Sequence, residues 1–271
     1  MPWQAKSQAL FCPGGASYLS CSDLDVTETE ITVEALVMSV GPSVDIVSKH
    51  TNPSNVNYLL RPGGVEITTS NGYISAPANF SPTPNECYHV AFTYDGATVK
   101  YYVNGCLASS VAHSGTLVTN NLATAIGNQS ACQCEAWNGY IDEVRIWNVA
   151  RTEAQLQANM SNLPTLTTQT GRLAYYKFSG NHINEQGNAT WNGTAVGAPQ
   201  LLANPTYDNA NFTFTGSSVA TDVSCAGAND GAVALSAAGG FASYTYSFDG
   251  VNYGPSNTLG SLPGGNVNVI R

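Results

Sequence analysis

The chain has 271 residues, a formal net charge of −9 and only nine lysines and arginines. Without a basic stripe it lacks the surface that nucleic acid or an anionic membrane would need, and no apolar run is long enough for membrane insertion. Charged residues make up 10% of the chain, against about a quarter in an ordinary soluble protein; Thr, Asn, Ser and Gly fill the polar positions, as in secreted β-proteins.

The start, "MPWQAKSQALFC", has no basic and apolar leader, as expected of a mature form or an excerpt of a longer chain. Period-two alternation then dominates. Ile31, Val33, Ala35 and Val37 alternate with Thr32, Glu34 and Leu36. Tyr88, Val90, Phe92 and Tyr94 repeat the pattern, as do Val99, Tyr101 and Val103. Such rows place one set of side chains on a core face. Many short strands separated by Gly, Asn and Pro predict an all-β sandwich.

Seven cysteines occur, with no CxxC and no zinc-type Cys/His spacing. Asp95-Gly96 is a hairpin signal, and the pairing it sets brings Cys87 nearly opposite Cys106. Facing Cβ atoms lie roughly 4.5–5.5 Å apart, close to disulfide distance, so a Cys87–Cys106 staple and an extracytoplasmic location are predicted. Cys12–Cys21, across "PGGAS", is the favoured second bridge. Cys132 and Cys134 either capture one of these partners or pair with each other. The odd count leaves one cysteine over.

In "GYIDEVRIW", Ile141, Val144 and Ile146 cannot share one face of a regular strand, which predicts a bulge at Asp142-Glu143. Thr152 is a helix N-cap before "EAQLQANM", with Glu153 in the first turn. Leu156 and Met160 would dock that helix on the sandwich. Residues 163–171 read as a loop and 172–178 as a strand. Composition changes near residue 204. The expected organisation is a first domain over 1–203, a linker over 204–212 and a smaller β-domain over 213–271, with strands in "DGAVALSAAGG", "YTYSF" and "NVNVIR".

Residues 8 to about 203 resemble the laminin-G-like, concanavalin-like jelly-roll family. "ITVEALV", "CYHVAFTYDGATVKYYVNG", "AIGN", "WNGYIDEVRIWNVARTEAQLQANM" and "GRLAYYKFSGN" carry the resemblance. It implies two curved antiparallel sheets with one short helix. The family usually has an aromatic residue at position 87 and a polar one at 106; the cysteines at both fit the proposed staple. Residues 213–271 resemble the SprB-type repeat of Bacteroidetes surface adhesins through "VSCAGANDGAVALSAAGG", "YTYSFDG" and "SNTLGSLPGG". This implies an Ig-like β-sandwich repeat, a partner for Cys225 beyond Arg271, type IX secretion and a long multidomain surface protein.

The resemblance also shapes the expected sites. Related jelly rolls often carry Ca²⁺, which takes six to eight oxygens. Asp142 on the bulge is the first candidate ligand; Asp23 and Asp25 come next. Pentraxin-type members place acidic ligands just after "IG", where this chain has Asn128, Gln129 and Ser130. Glucanases of the superfamily carry an E-x-D-x-E strand, of which "EITVE" (Glu30, Thr32, Glu34) keeps only the outer pair. On a straight strand those backbones stand roughly 13 Å apart, against about 5–5.5 Å between the carboxyls of a retaining pair, so the two glutamates read as solvent-facing charge. Trp137, Asn138, Trp191 and Tyr73 lie in polar, loop-like contexts suited to stacking on and hydrogen-bonding a sugar. The expectation is a non-catalytic module of a secreted adhesin, not an enzyme, with a glycan or cell-surface protein as partner. The alternatives are an accessory carbohydrate-binding region of a larger secreted glycan-degrading enzyme, or a structural spacer.

Overall fold

The computed structural model describes residues 8–51, 55–160, 169–203, 215–225, 227–238, 246–249, 252 and 254–263. The chain divides into two units, 1–208 and 209–271. In chain order the first holds β1 (Ala9–Pro13), β2 (Tyr18–Ser20), β3 (Ile31–Ser39), β4 (Val47–His50), β5 (Val56–Arg61), β6 (Gly64–Thr69), β7 (Gly72–Pro77), β8 (Cys87–Tyr94), β9 (Thr98–Val103) and β10 (Cys106–Ala112). There follow β11 (Ala125–Ile126), β12 (Asn138–Trp147), α1 (Glu153–Asn159), β13 (Arg172–Tyr176), β14 (Thr194–Val196) and β15 (Gln200–Leu202).

One sheet runs β10-β9-β8-β3-β12-β1-β15, with β13 also on β12; the other runs β14-β2-β11-β4-β5-β6-β7. All these pairings are antiparallel, and together the sheets make the expected sandwich. The alternation read from the sequence sets the register. Val33 pairs with Phe92, and Phe92 with Tyr101, so one apolar row crosses three strands. From that row the Tyr101 hydroxyl donates to the Arg61 carbonyl of the second sheet at 3.1 Å.

The bulge lies where the phase of Ile141, Val144 and Ile146 required it. Asp142 pairs with Leu36 and Arg145 with Glu34, with the register shifted between them. Asp142 Oδ1 accepts from the Glu143 amide at 2.8 Å, and Glu143 adopts φ +51°. The bulge also changes the strand's partner: before it β12 pairs with β1, beyond it with β13. Arg145 and Trp147 thereby alternate onto the outer face, opposite Glu34. α1 covers that face, packing Leu156 on Ala91 and Tyr102. Its start is a capping box in which Thr152 and Gln155 each satisfy the other's backbone amide.

The predicted Cys87–Cys106 bridge is not formed; both cysteines are free. A second turn explains why. β9 ends at Val103, Asn104 and Gly105 take φ +49° and +75°, and Cys106 pairs back onto Val103. This two-residue hairpin carries Cys106 to the far side of β9, while Cys87 pairs with Met38 of β3. A lateral displacement of two strands is about 9–10 Å, too far for a disulfide. Gly105→Ala should therefore cost about 1–2 kcal/mol, because alanine resists the left-handed backbone the turn needs; a denaturant midpoint unchanged from the parent would contradict this role.

Cys12 and Cys21 are also free and fully buried. They belong to different sheets. Cys12 on β1 lies against Gly127, whose added Cβ would meet its sulfur at 2.5 Å. Cys21 follows β2 and donates its amide to Thr124. Burial pushes each thiol up to about 12. The disulfide among the described residues is Cys132–Cys134.

In the second unit β16 (Thr215–Thr221), β17 (Gly231–Ala238) and β18 (Thr258–Leu262) form an antiparallel sheet. "NVNVIR", the start of "YTYSF", the proposed linker and most of the 163–171 loop lie outside the described residues. No described helix is long and apolar enough to cross a membrane.

Candidate functional site

The loop joining β11 to β12 is closed on itself. The Trp137 amide donates to the Gly127 carbonyl at 2.8 Å, and the Gln133 amide to Gln129 at 2.9 Å. Asn128 fills its interior: Oδ1 accepts from the Gln129 and Glu135 amides, and Nδ2 donates to Gly15. Cys132–Cys134 ties its outer turn. Trp137 is its anchor, with no exposed surface. This corrects the ligand-facing role expected for Trp137: polar neighbours mark the loop's surface while the indole enters the core.

The loop brings Gln129 and Glu135 to His50. A bend at Ile46 and a register shift between Lys49 and His50 fold β4 so that Asp45 also reaches the imidazole. His50 Nε2 lies 2.9 Å from Asp45 Oδ2 and 3.1 Å from Glu135 Oε2. Gln129 Nε2 donates to Glu135 Oε2 at 3.0 Å. Arg61 Nη2 stands 3.2 Å from Asp45 Oδ1 and 3.5 Å from Glu135 Oε2. Burial pushes the Asp45 carboxyl up to about 6, against the opposing pull of His50 and Arg61. Among the described residues, this is the one set of three His, Cys, Asp or Glu whose ligand atoms converge.

The acids expected to bind calcium lie elsewhere. Asp142 is buried, and its carboxylate turns back on its own bulge. Asp23 and Asp25 face a cation already present. Lys49 Nζ sits 2.6 Å from Asp23 Oδ1 and 3.1 Å from Asp25 Oδ1, and also contacts the carbonyls of Asn120 and Leu122 and the Asn120 side chain.

Of the sugar-contact candidates, Asn138 lies against Gly14 and Gly41 and is bonded through its backbone to Ser43 and Val40. Trp191 is half-buried; its Nε1 donates to Asp23 and its carbonyl accepts from Tyr176. Tyr73 on edge strand β7 is exposed. Burial raises its hydroxyl, and nearby Glu66 adds to the rise.

Glu34 is neither solvent-facing nor part of an open carboxylate pair. It is fully buried, 3.0 Å from His89 Nε2 and 3.4 Å from Arg145 Nη1, and accepts from Trp147 Nε1 at 2.9 Å. Burial alone would raise its carboxyl, but Arg145 and then His89 outweigh it and hold it at about 2. Glu30 Oε2 accepts from the Ala150 amide.

Residues 13–157 match the family described as the concanavalin A-like lectin/glucanases superfamily, and residues 217–252 match the SprB repeat. No curated protein sequence matches the chain. Among solved structures, a Bacteroides ovatus protein described as carbohydrate-binding is 21% identical, with a TM-score of 0.56; the similarity covers 73% of this chain and 60% of that one. The heptameric SAP-like pentraxin of Limulus polyphemus is 16% identical with a TM-score of 0.50, covering 74% of this chain and 96% of the pentraxin. At these identities the likeness establishes the fold. With its sandwich, its bulged β12 and the matched span of residues 13–157, the chain belongs to the laminin-G-type family of the concanavalin A-like lectin/glucanase superfamily, and carries a SprB repeat behind it.

Proposed function

We propose that this chain is a non-catalytic glycan- or protein-binding module of a secreted bacterial surface adhesin. The observation that carries the reading is a laminin-G-type sandwich and a SprB repeat in one chain. The SprB repeat supports a Bacteroidetes host, type IX export and a longer multidomain parent. The Cys132–Cys134 bridge supports an oxidising compartment. On the second sheet, exposed Tyr73 offers a ring for stacking on a sugar face. Arg61, Glu66 and Glu135 are partly exposed and offer hydrogen-bonding groups.

A glycan array probed with the full chain, with and without EDTA, tests the reading. Binding to at least one glycan class is expected, weakened severalfold by Tyr73→Ala, a surface change that leaves the fold intact. Silence on the array and against cell-surface proteins, in either condition, would favour a structural spacer.

A further inference from the structure

We propose that Asp45, His50 and Glu135 form a zinc site. This goes beyond the adhesin reading and does not depend on it. The three donors come from different places in the chain, the bend before β4, the end of β4 and the closed loop, and their ligand atoms lie within 4.8 Å of one another. The separations from His50 Nε2, 2.9 and 3.1 Å, approach the edge of a tetrahedron around an ion with bonds of about 2.0–2.1 Å, the zinc distance for imidazole and carboxylate.

Hydrogen bonding alone leaves this arrangement incomplete. A neutral imidazole nitrogen carries at most one hydrogen, yet Nε2 faces a carboxylate oxygen on each side. Asp45 has no exposed surface, and its Oδ1 accepts no hydrogen bond despite the Arg61 guanidinium nearby. Charge points the same way. Asp45, Glu135 and Glu66 bring three negative charges and Arg61 one positive, which leaves a deficit matched by one divalent ion.

The nitrogen donor selects the metal class. Imidazole suits zinc and its neighbours, whereas calcium takes oxygen ligands throughout. Gln129 Nε2 donates to Glu135 Oε2 at 3.0 Å and so holds that carboxylate toward His50, as groups around a metal site orient its ligands. Three protein ligands leave the fourth position of a tetrahedral ion for water or a ligand oxygen. The Cys132–Cys134 bridge keeps those two thiols out of the ligand set and ties the loop that supplies Glu135.

The test is calorimetric titration of the full chain with zinc chloride and, in parallel, calcium chloride, without reductant. A Cys225→Ser background removes the exposed thiol of the second unit as a competing ligand. One zinc per chain is expected, with calcium at least about 100-fold weaker. His50→Gln and Glu135→Gln should each weaken zinc about tenfold or more. Glu135→Gln alters a partly exposed side chain, so its melting temperature without metal should equal the parent's and separate ligand loss from unfolding. Absence of zinc binding, zinc binding unchanged in both variants, or calcium binding tighter than zinc would each overturn the proposal.

Discussion

Replacing Arg145 with methionine should destabilise the first unit by roughly 3–5 kcal/mol, read as a lower denaturant midpoint. Arg145 is fully buried beneath α1. Its guanidinium pairs with Glu34 and Glu143, donates to the Asn159 carbonyl at 2.8 Å and stacks over Tyr175 at 5.1 Å. The Tyr175 hydroxyl also donates to Glu143. Methionine fills much of the volume but leaves two buried carboxylates without their shared cation. Breaking one side of such a network costs more than replacing all of it with neutral groups. Adding Glu34→Gln and Glu143→Gln to Arg145→Met should therefore recover at least half of the loss.

The pH dependence gives a second readout. In the parent, Glu34 is held at about 2, below the usual glutamate value near 4.3. Its contribution to stability is present above that usual value and is lost as pH falls toward 2. Without Arg145 the upward push of burial remains and its main opponent is gone. The variant gains stability as its carboxylate protonates on the way down to about pH 4.3, and below that value the parent loses its own contribution, so the gap narrows from above pH 4 downward. A loss under about 1 kcal/mol at neutral pH, or a gap constant down to pH 3, would show that the network is not held as the contacts imply.

That network marks how far local pattern reaches. The bulge at Asp142-Glu143 was legible because three apolar residues fell out of phase, and the Thr152 cap because its chemistry is local. Asn104-Gly105 carried an equally strong turn signal, but extending the first hairpin's register past it produced a false Cys87–Cys106 pair. Glu34 looked solvent-facing because the strand's period gives its face but not the helix and arginine that cover it. Trp137 was misplaced for a related reason: polarity of neighbours describes a loop's surface, not the direction of one large side chain. The Asp45–His50–Glu135 cluster depends on a bend, a register shift and a loop closing over a span of 90 residues, from 45 to 135. None of these has a spacing signature. No acid follows "IG" directly in the sequence, and Glu135 reaches His50 only once the loop is closed.

Lys49→Met should cost the first unit about 3 kcal/mol, much more than either Asp23→Asn or Asp25→Asn, each about 1 kcal/mol or less. The asymmetry follows from exposure. The Lys49 side chain is fully buried, while the Asp23 and Asp25 side chains are 48% and 27% exposed. Either aspartate can regain water when its charge is removed or its partner lost. The ammonium is held equally by fixed oxygens, the carbonyls of Asn120 and Leu122 at 2.9 and 2.6 Å and the Asn120 side chain at 3.0 Å. Methionine keeps the apolar stem but offers those oxygens no donor. Lys49→Arg should also destabilise, by about 1–2 kcal/mol, because a planar fork cannot reproduce a compact, three-donor ammonium. If the aspartate variants instead matched Lys49→Met, the lysine would be held by its carboxylates alone.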